Sequence, residues 1–100
     1  MNKYVLAFRG AATRTPPSDF ESQWASWFAR LGDTVIDPGN RVLSTRTLTG
    51  DGAIEPVDGL TGYVVISAAD ADEAARHAAG CPGLAYGIAV EIAAVLPPVN

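Results

Sequence analysis

A handful of residues in this chain of 100 could carry chemistry: one histidine, one cysteine, a few carboxylates in apolar surroundings and a pair of tryptophans. His77 is the lone imidazole, and its titration near neutrality makes it a candidate general base. It follows Glu73 by one helical turn, so a solvated helix residue with a weak Glu–His contact is the plainer reading. Asp37 precedes Pro38-Gly39 at the end of a strand pattern. In a cleft walled by Trp24 or Trp27, its pKa would rise and the carboxylate could accept a proton. As a turn residue it would instead accept backbone amides. Asp37 and, behind it, His77 are the catalytic candidates.

Cys81 sits just past a helix C-terminus, whose partial negative charge raises a thiol pKa and argues for packing rather than reactivity. One histidine and one cysteine fall short of a zinc set, so no metal is expected. Gly10, Gly39 and Gly50 do not stand in a phosphate-loop spacing, so no nucleotide cofactor is expected either. Phe20, Trp24, Trp27 and Phe28 form either a plain core stripe or the wall of an apolar pocket. Trp27, at the edge of the stripe, is the one expected to face a cavity. Glu91 interrupts an apolar strand and needs a partner if covered. Arg9 and Arg46 are the choices, giving either a structural ion pair or a charge lining a pocket. Trp24, Trp27, Arg46 and Glu91 are the pocket candidates.

The elements that position these residues follow from periodicity. Residues 3–9 alternate with Tyr4, Leu6 and Phe8 on the more apolar face of a strand. Gly10 to Pro17 is a loop. Ser18 with Glu21 reads as a capping box opening a helix whose stripe is Phe20, Trp24, Phe28 and Leu31, and Gly32 ends it. Asp33 to Asp37 makes a short strand around Val35 and Ile36. Pro38-Gly39-Asn40 is a tight turn or kink, and a strand resumes over Arg41 to Leu48. Gly50-Asp51-Gly52 is a hairpin-type turn, and residues 53–59 are irregular because Pro56 cannot donate to a ladder. Residues 60–68 are a strand. Asp70 with Glu73 caps a second, alanine-rich helix, stopped by Gly80 and Pro82. A last strand covers about 86–95, and Pro97-Pro98 ends the pattern.

The order β-α-β-β-α-β is that of the ferredoxin-like split unit, an α+β fold in one domain over 1–100. Both helices then cover one face of a four-stranded antiparallel sheet. The other face carries Val5, Ala7, Tyr63, Val65, Ala89, Ala93 and Val95, a contiguous apolar patch that soluble monomers rarely expose. Packing that face on a second copy gives a homodimeric barrel of isologous symmetry. The hydrophobic fraction of 48% supports a core, yet no apolar run reaches membrane-spanning length. A net charge of −4 with scattered basic residues argues against nucleic acid. A single cysteine and no leader pattern at the N-terminus fit a cytoplasmic location.

Several short stretches, taken in order, resemble a known family. They are Trp24-Ala-Ser-Trp-Phe28, Leu31-Gly-Asp33, Val35-Ile-Asp-Pro-Gly-Asn40, Ser44-Thr-Arg-Thr47, Leu60-Thr-Gly-Tyr63, Asp72-Glu-Ala-Ala75 and Gly80-Cys-Pro-Gly-Leu84. Together they resemble the small bacterial YCII-related proteins, relatives of the DGPF-domain proteins, over nearly the whole chain. The resemblance implies a dimeric α+β barrel; for most members the biochemical role is unassigned. One branch pairs a His on the first helix with an Asp beyond it. Here residues 18–31 contain no His, and Asp37 is the position left for the acid. Glu55-Pro-Val-Asp-Gly59 stands in place of the Asp-Gly-Pro-Phe signature, and Gly83 follows the Cys-Pro pair where relatives often have His. The expected function is a homodimeric module that binds a small apolar or aromatic molecule or is non-catalytic. The alternative is a cofactor-independent enzyme doing proton transfer, lyase-like or monooxygenase-type chemistry on such a molecule.

Overall fold

Alternating apolar residues build the sheet first. In the computed structural model, which describes residues 1–97, the elements run β1 Asn2–Arg9, α1 Phe20–Leu31, β2 Val35–Arg41, β3 Thr47–Thr49, β4 Gly52–Ile54, β5 Leu60–Ala68, α2 Ala71–Ala78 and β6 Ala89–Ala94. Pro98, half of the expected Pro-Pro stop, lies outside the described residues. Strands β2, β5, β1 and β6 lie in that order in one antiparallel sheet, while β3 and β4 pair only with each other. This α+β arrangement, a four-stranded sheet with two helices, is compatible with the ferredoxin-like topology.

Parity decides which side is core. Tyr4, Leu6 and Phe8 of β1 lie beside Ile66, Val64 and Gly62 of β5. These residues meet Trp27 and Leu31 of α1, Ala74 and Ala78 of α2, and Cys81 in one buried cluster. Both helices therefore cover the same face. With a single helical layer the molecule is thin, 44 × 38 × 20 Å. The alanines of α2 let its backbone approach the sheet closely.

The second cap forms, with its return bond one residue before the expected Asp70 amide. Asp70 accepts the Glu73 amide at 2.8 Å, and the Glu73 carboxylate reaches back to the Ala69 amide at 3.2 Å. The first does not form. The Phe20 amide donates to the Pro17 carbonyl at 3.1 Å, closing a turn through Ser18 and Asp19, so the helix starts at Phe20. Glu21 is drawn away by Arg41 at 3.4 Å.

Two strands differ from their expected spans. Arg41 to Leu48 is not continuous: Val42 donates to the Thr61 carbonyl at 3.0 Å, after which β5, starting at Leu60, offers little more to pair with. Chain 43–59 instead leaves the sheet and forms the β3–β4 hairpin, so Ala53 and Ile54 are strand rather than irregular, and Gly52, expected in the turn, opens β4. At the other end, Pro82 turns the chain into a short 3-10 helix, Pro82–Tyr86, and Gly87 at φ 92 releases it. Tyr86 and Ile88 thus precede β6 rather than belong to it.

Pro38-Gly39-Asn40 does not end β2. The strand carries irregularities between Val35 and Asp37 and between Asp37 and Asn40, and Gly39 adopts φ +71 against the Tyr63 backbone. The kink lets one strand serve both faces: Asp37 lies beside Val65 on the open side, and Arg41 beside Gly62 on the helix side.

Candidate functional site

The bend in β2 and the angle of α1 leave a cleft of about 780 Å³ between them. Its floor is aromatic and aliphatic: Phe8 from β1, Phe20, Trp24 and Phe28 from α1, and Ile88 before β6. Phe8 and Trp24 meet edge to face with centroids 4.9 Å apart, and Phe20 meets Tyr86 the same way at 5.1 Å. Such contacts fix ring orientation and keep the floor rigid. Ile88 and Trp24 also crowd Gly83, where even a Cβ would come within 3.1 Å of both.

The rim is polar. Glu21 and Arg41 bridge the mouth as an exposed ion pair at 3.4 Å. Where β2 bends, Asn40 and Tyr63 border the cleft, and the Asn40 amide donates to the Tyr63 hydroxyl at 3.0 Å, although the parity of Tyr63 puts its side chain on the open side of the sheet with Ala7. An apolar floor with a few polar groups on one rim suits a small aromatic molecule with one polar substituent.

Of the residues singled out in the sequence, Trp24 lines this cleft. Trp27 does not. It is 1% exposed and sits at the centre of the core, with Trp24, Phe28 and Leu31 around it on the same helix. The buried stripe runs through Trp27 because its indole N–H finds an acceptor, the His77 carbonyl, at 3.1 Å. Asp37 is exposed and accepts the Gly39 amide at 2.8 Å, a turn contact that shapes the bend. His77 is partly buried on α2 with its Nε2 3.6 Å from Glu73. Neither Asp37 nor His77 lines the cleft.

Glu91 pairs with Arg9 at 3.3 Å on the open face of the sheet, where it lies beside Ala7. Arg46 is exposed in the segment between β2 and β3 and takes no part in that pair. The Cys81 thiol is buried, and burial pushes its pKa up; contacts with the Gly83 and Leu84 amides offset part of the rise. Among the described residues no cluster of His, Cys, Asp and Glu could hold a metal. Nor is any helix among them long and apolar enough to cross a membrane.

The sequence reading missed Phe8, Ile88 and the two polar pairs. Phe8 had a signal, since its parity places it on the core face at the end of β1. Glu21–Arg41 and Asn40–Tyr63 had none, because each joins residues about twenty positions apart through the bend in β2. No protein-family model matches the chain, and no curated protein matches it.

Proposed function

We propose that the chain is a YCII-like protein that acts as a homodimer and binds a small apolar or aromatic molecule in the cleft beneath α1. The observation that carries the binding reading is the rigid aromatic floor of Phe8, Trp24 and Phe28 beneath a polar rim. The enzymatic alternative needs a proton acceptor facing the bound molecule. Asp37 is engaged with the Gly39 amide, and the one carboxylate on the rim, Glu21, is paired with Arg41. Binding without catalysis is therefore the favoured reading.

Dimer formation through the open face is supported by its composition. Val5, Ala7, Tyr63, Val65 and Ala93 share that side of the sheet, with the Arg9–Glu91 pair among them. Once covered by a second copy, this cross-strand ion pair would give the face register beside its apolar area.

The two tryptophans make the cleft testable. Each gives one indole signal in a ¹H–¹⁵N spectrum. On titration with phenol or benzoate, the Trp24 signal should shift and saturate while Trp27, held on the His77 carbonyl, moves far less. A Trp24 signal that never moves with either compound overturns the binding reading.

A further inference from the structure

The β3–β4 hairpin stands apart from the body. Among the described residues its strands pack mainly on each other, and every residue of both is exposed. A lone two-stranded hairpin is marginal in water and needs a surface to lie on. This one carries apolar side chains that have none: Leu43 is 101% exposed, Leu48 81%, Ile54 56% and Val57 95%. They belong to the one segment, 43–59, that leaves the sheet. Its base is tied down, since Gly10 donates to the Gly59 carbonyl at 3.0 Å and Val42 to the Thr61 carbonyl at 3.0 Å. A tied base with uncovered apolar side chains along its length describes an arm rather than a loose loop.

We infer that this arm grips a second copy of the chain and completes the dimer interface; the inference rests on the homodimer proposed above. Area identifies the occupant. Four strands spaced about 4.8 Å apart, rising about 3.3 Å per residue, present a face on the order of 400 Å² per copy. Stable pairs bury roughly 800 Å² per partner. The open face is also poor in large side chains, with Ala7, Ala89 and Ala93 among its residues. Accessible area on a pleated face exceeds that flat footprint, yet a face of this size stands at the low end for a stable pair, and the arm supplies further apolar area from the same chain. Two-fold symmetry covers both arms at once, each on the other copy, so neither arm's apolar side chains are left over. The arm's stems also line the cleft, at Val42 on one side and Thr61 on the other. Docking the arm therefore fixes one wall of the cleft in each copy.

Sedimentation equilibrium on the full chain tests this with two variants. Leu48→Asp/Val57→Asp alters exposed arm positions, so its far-UV circular dichroism should match the wild type. Ala93→Arg places a charge on the open face. The expected result is a wild-type dimer whose dissociation constant rises at least tenfold in the arm variant. Amide protection over 47–54 should rise with protein concentration. A wild-type dimer that the arm variant leaves unchanged, while Ala93→Arg dissociates it, overturns the arm and keeps the face. A wild type that stays monomeric overturns both. Protection over 47–54 independent of concentration places the arm on its own body and overturns the inference.

Discussion

The indole of Trp27 donates its N–H to the backbone carbonyl of His77 across 3.1 Å, fastening α1 to α2 over fifty positions of sequence. The same ring lies 3.1 Å from where a Cβ on Gly80 would stand, so the end of α2 is shaped around it. Trp27 is thus the piece on which the two strand–helix–strand halves close.

Trp27→Ala should cost about 3–5 kcal/mol, the range for removing a large buried aromatic. Trp27→Phe keeps most of the volume but loses the indole's hydrogen bond, and because the His77 carbonyl keeps the Gly80 amide at 3.3 Å it should cost about 1 kcal/mol. Urea unfolding followed by circular dichroism checks both. A Trp27→Phe variant as stable as the wild type would show that the His77 contact contributes nothing.

The two helix starts should respond differently to the same kind of substitution. Asp70→Ala removes an acceptor at 2.8 Å from the Glu73 amide and should cost about 1 kcal/mol. Ser18→Ala should change stability by less than about 0.5 kcal/mol, as at ordinary surface sites. Equal losses at the two positions would restore the Ser18 box that the structure lacks.

How far the sequence was legible follows from such cases. The Asp70–Glu73 box is local, closed within four residues, so spacing alone reveals it. β1 and β5 are equally local, because alternation over eight or nine residues needs no partner to be seen. The centre of the α1 stripe is not local. Phe20, Trp24 and Phe28 share a helical face as well as Trp24, Trp27 and Leu31 do, and the choice between them lies on α2. Small residues at Ala74, Ala78 and Gly80 leave room for one indole, and the His77 carbonyl accepts from it. The cleft was half legible for the same reason: its aromatic floor lies in the α1 pattern, while its rim depends on where a kinked strand places Asn40 and Arg41.

Gly39 bears that kink. Its φ of +71 lies in a region that side chains disfavour, and an added Cβ would run into the Tyr63 backbone. Gly39→Ala should destabilise the fold by more than about 1 kcal/mol and displace the Asn40–Tyr63 rim. Parallel measurements of unfolding and of the Trp24 shift with benzoate separate the two effects. Unchanged stability would mean that β2 can straighten freely.

Burial of Cys81 sets a pH limit on stability. In the folded chain the thiol titrates above its ordinary 9.0, so the unfolded chain gives up its proton first as the pH rises. The contribution of the neutral thiol is complete below that ordinary value and is lost as pH climbs through the folded one. Wild-type stability should therefore fall more steeply above 9.0 than that of Cys81→Ala. Parallel curves from denaturant melts across that range would show that the thiol is not confined.

The two edges of the sheet are unequal. β2 presents a proline, a left-handed glycine and two register breaks, features that make a poor template for another strand. β6 is regular and pairs without a break along β1. Edge-to-edge growth can therefore begin at β6 but not continue from β2. Two chains joined through β6 would leave a guarded β2 at each border of the joined four-stranded sheets, so the same bend that opens the cleft also stops that sheet from growing further.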